Sequence, residues 1–93
     1  MIYRFPALLY EDNDNPGYIV ISFPDLLGVG SECAIGEEME TAKEVLTLAL
    51  SSVPHYRLMN PTDIKHLKER YPNDQIIIVE VEINDDGDGG LAR

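Results

Sequence analysis

Cys33, His55, His66, Asp25 and the run Asn84-Asp85-Asp86-Gly87-Asp88-Gly89 are the residues whose chemistry must be weighed first. A cysteine nucleophile needs a neighbouring base and a positive environment to lower its pKa. Cys33 follows Glu32 and has no histidine near it in sequence, so it reads as a small buried hydrophobe. His55 and His66 stand eleven residues apart, and His66 follows Lys65 on the polar side of its element. Both read as solvated surface. Two-metal nuclease chemistry needs several converging carboxylates, one of them on the first strand. The first strand, Ile2 to Tyr10, carries Arg4 as its only charge. Asp25 stands alone at a strand end and reads as a turn residue whose oxygen accepts backbone N–H bonds. The run from Asn84 matches the first half of a calcium loop, but the bidentate glutamate such a loop needs at its last position would fall at residue 95 of a 93-residue chain. No catalytic group, metal site or cofactor is expected, and the chain reads as non-enzymatic.

What remains is charge. Seven Lys and Arg stand against seventeen Asp and Glu, a net charge of −10. A nucleic-acid binder needs bases gathered on one face to release counterions from phosphates, and an anionic membrane attracts the same sign. Neither is expected as a partner; a basic protein is. The acid is unevenly placed. Residues 1–53 hold nine acids and two bases, whereas residues 54–70 hold four bases (Arg57, Lys65, Lys68, Arg70) and two acids. The lone cysteine excludes an internal disulfide framework. No apolar run approaches the roughly 18 residues of a membrane span, and Met1–Pro6 lacks a basic stretch leading into a long apolar block, so a cytoplasmic location is expected. At 93 residues, 44% of them hydrophobic, the chain reads as one small globular domain.

The elements follow from periodicity. Residues 2–10 alternate, with Tyr3, Phe5, Ala7 and Leu9 on one face, and read as a strand. Pro6 has no N–H and must face away from a ladder or sit at a bulge. Glu11–Gly17 is a turn cluster. Tyr18–Phe23 reads as a second strand and residues 29–34 as a weaker third, together an antiparallel meander. From Ile35 the period becomes helical, with Ile35, Met39, Ala42, Leu46, Ala49, Leu50 and Val53 at steps of three and four. Glu37, Glu38, Glu40 and Glu44 lie on its early outward side, where the macrodipole favours them. Pro54 ends it. After a connector at 55–60, a short helix is expected over 62–70, capped by Thr62 or Asn60. Gln75–Ile83 is a strand with Ile77, Val79, Val81 and Ile83 facing one way; the other face starts with Ile76 and Ile78 and turns charged at Glu80 and Glu82. The expected architecture is α+β in two layers: a β-β-β meander, a long helix, and a final strand lying beside the first and parallel to it.

The stretch Gly17-Tyr18-Ile19-Val20-Ile21-Ser22-Phe23-Pro24-Asp25-Leu26-Leu27-Gly28, the opening Phe5-Pro6-Ala7-Leu8-Leu9, the segment Glu37-Glu38-Met39-Glu40-Thr41-Ala42-Lys43-Glu44 and the connector Asn60-Pro61-Thr62-Asp63 together resemble the HicB antitoxin family over roughly residues 3–83. The resemblance implies a truncated RNase H-like β-β-β-α-β fold. It also implies a protein that masks HicA, a small basic toxin that cleaves mRNA. Two departures stand out. The chain ends ten residues after Ile83, so no DNA-binding domain is expected in it. The segment Glu32-Cys33-Ala34-Ile35 lacks the family's usual Thr or Asp cap.

These readings converge on a HicB-like domain over residues 1–83 and a flexible acidic tail over 84–93. The domain is expected to inhibit by occlusion, an acidic surface covering a basic RNA-cutting site. Tyr18, Asp25, Glu37 and Glu38 are its expected partner-facing residues. Self-association into a homo-oligomer is expected as well. The alternatives are a stand-alone homo-oligomeric module of the same fold, without toxin or DNA binding, and, third, a divergent metal-dependent nuclease.

Overall fold

The computed structural model describes residues 1–84, so the tail expected over 84–93 and the partial calcium loop lie outside the described residues, Asn84 apart. Four strands and two helices follow in the order β1 (Ile2–Glu11), β2 (Tyr18–Ser22), β3 (Gly30–Ala34), α1 (Glu38–Ser52), a 3₁₀ turn (Pro54–Leu58), α2 (Ile64–Arg70) and β4 (Gln75–Glu82). The chain is α+β, with one four-stranded sheet in the order β3-β2-β1-β4.

Every neighbouring pair in this sheet is antiparallel. The final strand therefore does not run parallel to β1, and the sheet departs from the truncated RNase H-like topology. The reason lies in residues 53–74. A strand entered directly from a helix returning across the sheet would begin beside the start of β1. Here the 3₁₀ turn and α2 carry the chain back, and Gln75 enters opposite Leu9 while Glu82 finishes opposite Ile2.

The pleat sorts the side chains. Phe5, Ala7 and Leu9 of β1, Ile19 and Ile21 of β2, Cys33 of β3, and Val79 and Val81 of β4 are buried on one face. Ala42, Leu46 and Leu50 of α1 join the same core. Cys33 is thus a buried hydrophobe. Pro6 is tolerated because β2 pairs with β1 only from Leu8 onward. The missing N–H at Pro6 points to where that ladder has already ended.

The helix does not start at Ile35. Gly36 has φ +105°, a conformation that breaks a right-handed helix. Ile35 instead gives its N–H to the Gly17 carbonyl at 3.0 Å, and its side chain is 56% exposed. Met39 is also exposed, and Val45 is packed against the core in its place. At the other end, the Arg57 guanidinium donates to the Leu50 carbonyl at 3.0 Å, satisfying one of the acceptors a helix leaves open.

The sheet's second face is partly covered too. Pro6 and Leu8 of β1 are buried there, and Leu67 of α2 is fully buried outside the main core cluster. α2 packs on β4 and is the element left to cover them. Its cap is Asp63, whose side chain accepts from the Lys65 N–H at 3.3 Å, not Thr62 or Asn60. The Thr62 hydroxyl is occupied by Asp25.

Candidate partner-binding site

The β1–β2 turn is held by Asp12. Its carboxylate accepts the Asp14 N–H at 2.9 Å, its carbonyl accepts the Asn15 N–H, and its own N–H reaches the Tyr18 carbonyl, each at 3.1 Å. Tyr18 lies opposite Ala34 in the β2–β3 register. The bond from Ile35 to Gly17 then sets the start of α1 beside the start of β2. Tyr18, Glu37 and Glu38 therefore share one end of the molecule. Glu38 turns back to accept the Gly36 N–H at 2.6 Å, and Glu37 is exposed.

Asp25 is not with them. It follows β2 at the opposite end, half-buried, and both its oxygens accept from Thr62: one from the backbone N–H at 2.9 Å, the other from the hydroxyl. The backbone N–H it accepts comes from a distant segment, not from its own turn.

On β1, β2, β3 and the start of α1 the shared end is strongly acidic. No Lys or Arg occurs between Arg4 and Lys43, so Glu11, Asp12, Asp14, Glu32 and Glu40 add to Glu37 and Glu38 without a base from these segments. Exposed apolar groups lie among them: Tyr10 and Tyr18 on the outer sheet face, and Ile35 and Met39 where α1 begins. A cleft of about 260 Å³ between the end of β1 and the α2–β4 turn is lined by Leu9, Tyr10, Glu11, Ile19, Asn73 and Gln75.

One carboxyl pair here escaped sequence reading. The carboxyls of Asp12 and Glu32 interact across the start of β2. That interaction holds Asp12 below its ordinary value, helped by the Asp14 N–H, and raises Glu32, helped by partial desolvation and by the Asp12 charge. Twenty positions separate them in sequence; the one available signal was that both flank the Tyr18 strand.

The other candidates stay apart. His55 lies on the 3₁₀ turn, its ring 5.1 Å from that of Tyr56, and His66 is exposed on α2. Among the described residues, no group of three or more His, Cys, Asp or Glu is placed to hold a metal ion, and no helix is long and apolar enough to cross a membrane. The arrangement is suited to presenting a charged, partly apolar surface. No family model, curated protein or solved structure matches this chain.

Proposed function

We propose that this chain is a non-enzymatic, antitoxin-like binding domain that covers the RNA-cutting surface of a small basic toxin of the HicA type. The observation that carries the reading is the acidic end. Tyr18, Glu37 and Glu38 sit together there, with exposed Tyr10, Ile35 and Met39 beside them and no Lys or Arg in residues 5–42. Such a surface competes with an RNA backbone for the same cations, and the apolar groups give it a desolvated centre. Asp25 has a different part in this reading: tied to Thr62, it holds the β2–β3 loop. The proposal draws on the acidic end and the HicB-like motifs rather than on the sheet topology. It puts the domain in the cytoplasm, where messenger RNA is cut.

The test mixes the full chain with a small basic RNA-cleaving protein of the HicA type and follows RNA cleavage. Stoichiometric inhibition that weakens with salt is expected. Glu37→Lys with Glu38→Lys is expected to weaken binding about tenfold or more, since like charges would then meet. Full cleavage in the presence of excess folded domain would overturn the reading.

A further inference from the structure

The sheet ends on β4, and its outer edge is open among the described residues. Which groups lie on that edge follows from the ladder. Met1 and Ile83 exchange both backbone hydrogen bonds, at 3.0 and 2.9 Å. In an antiparallel pair such closely bonded positions recur at every second residue. The register is regular from Ile2 opposite Glu82 to Leu9 opposite Gln75, so the odd-numbered residues of β4 bond to β1. Ile76, Ile78, Glu80 and Glu82 therefore aim their N–H and C=O groups outward.

Soluble proteins blunt such edges with charged side chains, proline, bulges or very short strands. The opposite edge, β3, has only five residues. β4 has eight, with no Pro, Gly or Lys; its charges, Glu80 and Glu82, lie within its last three residues and leave Gln75 through Val79 uncharged. Ile78 is 42% exposed on the outer face.

We infer that β4 pairs antiparallel with β4 of a second copy, joining two sheets into one of eight strands. The charges select the register. A two-fold axis through a continuous sheet keeps each residue on its own face, so even positions meet even ones. Centring the axis at Val79 sets Ile78 against the partner copy's Glu80 and Ile76 against its Glu82. On the core side Ile77 meets Val81, and Val79 meets itself. No like charges are opposed across the seam. Centring one residue earlier opposes Asp74 to Glu82, and one residue later opposes Glu80 to itself. The acidic ends then point away from each other, free for two partners.

The test is sedimentation of the full chain across concentration, with amide exchange by NMR. The amides of Ile76, Ile78, Glu80 and Glu82 are expected to gain protection as dimer forms. Ile78→Glu removes an apolar seam contact and places a second carboxylate against Glu80, whose own carboxylate accepts from Arg4 at 2.8 Å; one guanidinium then faces two acids, and the dimer is expected to weaken several-fold because symmetry applies the change twice. Ile78→Lys faces the same carboxylate and is expected to keep or tighten it. Ile78 is exposed in the monomer, so both variants should fold, as circular dichroism will check. A monomer at all concentrations, or a dimer that tolerates Ile78→Glu or is lost with Ile78→Lys, overturns the inference. Salt separates it from toxin binding: two chains of charge −10 associate more tightly as salt rises, whereas an acidic–basic pair loosens.

Discussion

Thr62 gives its backbone N–H and its hydroxyl to the two carboxylate oxygens of Asp25, thirty-seven residues earlier. The pair clamps the β2–β3 loop to the segment entering α2, two pieces of chain that no strand pairing joins. Hydrogen bonds to a charged group contribute about 1.5–3 kcal/mol when buried; this pair is half-buried, so about 1–2 kcal/mol is expected for Asp25→Ala. Thr62→Val removes only the hydroxyl bond and should cost less. Urea unfolding of both single variants and the double variant gives the coupling, which should exceed about 0.5 kcal/mol for groups in contact. A coupling near zero would show the clamp to be incidental.

Leu67 carries the attachment of α2. It is the one buried residue of a seven-residue helix, and a helix that short does not hold itself together in water. Leu67→Ala should cost about 2–4 kcal/mol and speed amide exchange in α2 ahead of β1. Loss of α2 protection with little change in the sheet is the expected pattern; uniform loss across the chain would mean that α2 and the sheet unfold as one unit.

Asp12 and Glu32 make a pH prediction whose sign can be worked out. Glu32 is raised by its interaction with Asp12, so the folded chain binds more protons than the unfolded one just above the ordinary glutamate value. Its contribution is present at lower pH and lost as pH rises through the folded value. Asp12 is lowered, so its contribution is present above the ordinary aspartate value and lost as pH falls through the folded one. The pair is best satisfied with one shared proton. Glu32→Gln supplies a permanent donor in place of that proton. Thermal melts at about pH 4.5 and 7 should therefore show a smaller drop with rising pH in the variant than in the parent. Both groups lie at the surface, so the difference will be small, and its sign is the test. An equal or larger drop in the variant contradicts the shared proton.

What could be read from residue order depended on range. Alternation marked Tyr3–Leu9 and Ile19–Phe23 because a pleat repeats every two residues, and Ala42, Leu46, Ala49 and Leu50 marked the helix face in the same local way. The break at Gly36 was harder to see, since Ile35 fits the helical spacing and only the backbone angle excludes it. The direction of β4 was invisible, because Gln75–Ile83 alternates identically whichever way it runs. That direction is decided by how far residues 53–74 travel. Thr62 looked like a cap because its type and place suit one. Asp25, distant in sequence, takes the hydroxyl and leaves the cap to Asp63. Of the four expected partner residues, Tyr18, Glu37 and Glu38 could be grouped only once Gly17 was seen bonded to Ile35.

Gly30 offers the sharpest test of the β2–β3 pairing. A Cβ at this position would lie 2.6 Å from the Ile21 carbonyl oxygen, and that neighbour is backbone, so a strand must move. Gly17 differs: its φ of +91° strains any side chain, but nothing lies within 4 Å of the added carbon. Gly17→Ala should thus cost about 1–2 kcal/mol through the backbone angle alone. Gly30→Ala has no positive φ to strain, so its cost, about 1–3 kcal/mol, arises from overpacking. The two variants should also differ in kind. The shift forced at Gly30 acts on the pairing of Ile19 with Cys33 and Ile21 with Ser31, and through β3 on the start of α1. Amide exchange across β3 should rise in Gly30→Ala and stay near the parent in Gly17→Ala once global stability is matched with denaturant. A Gly30→Ala protein with parental β3 protection would mean that the two strands absorb the added carbon without loosening their pairing.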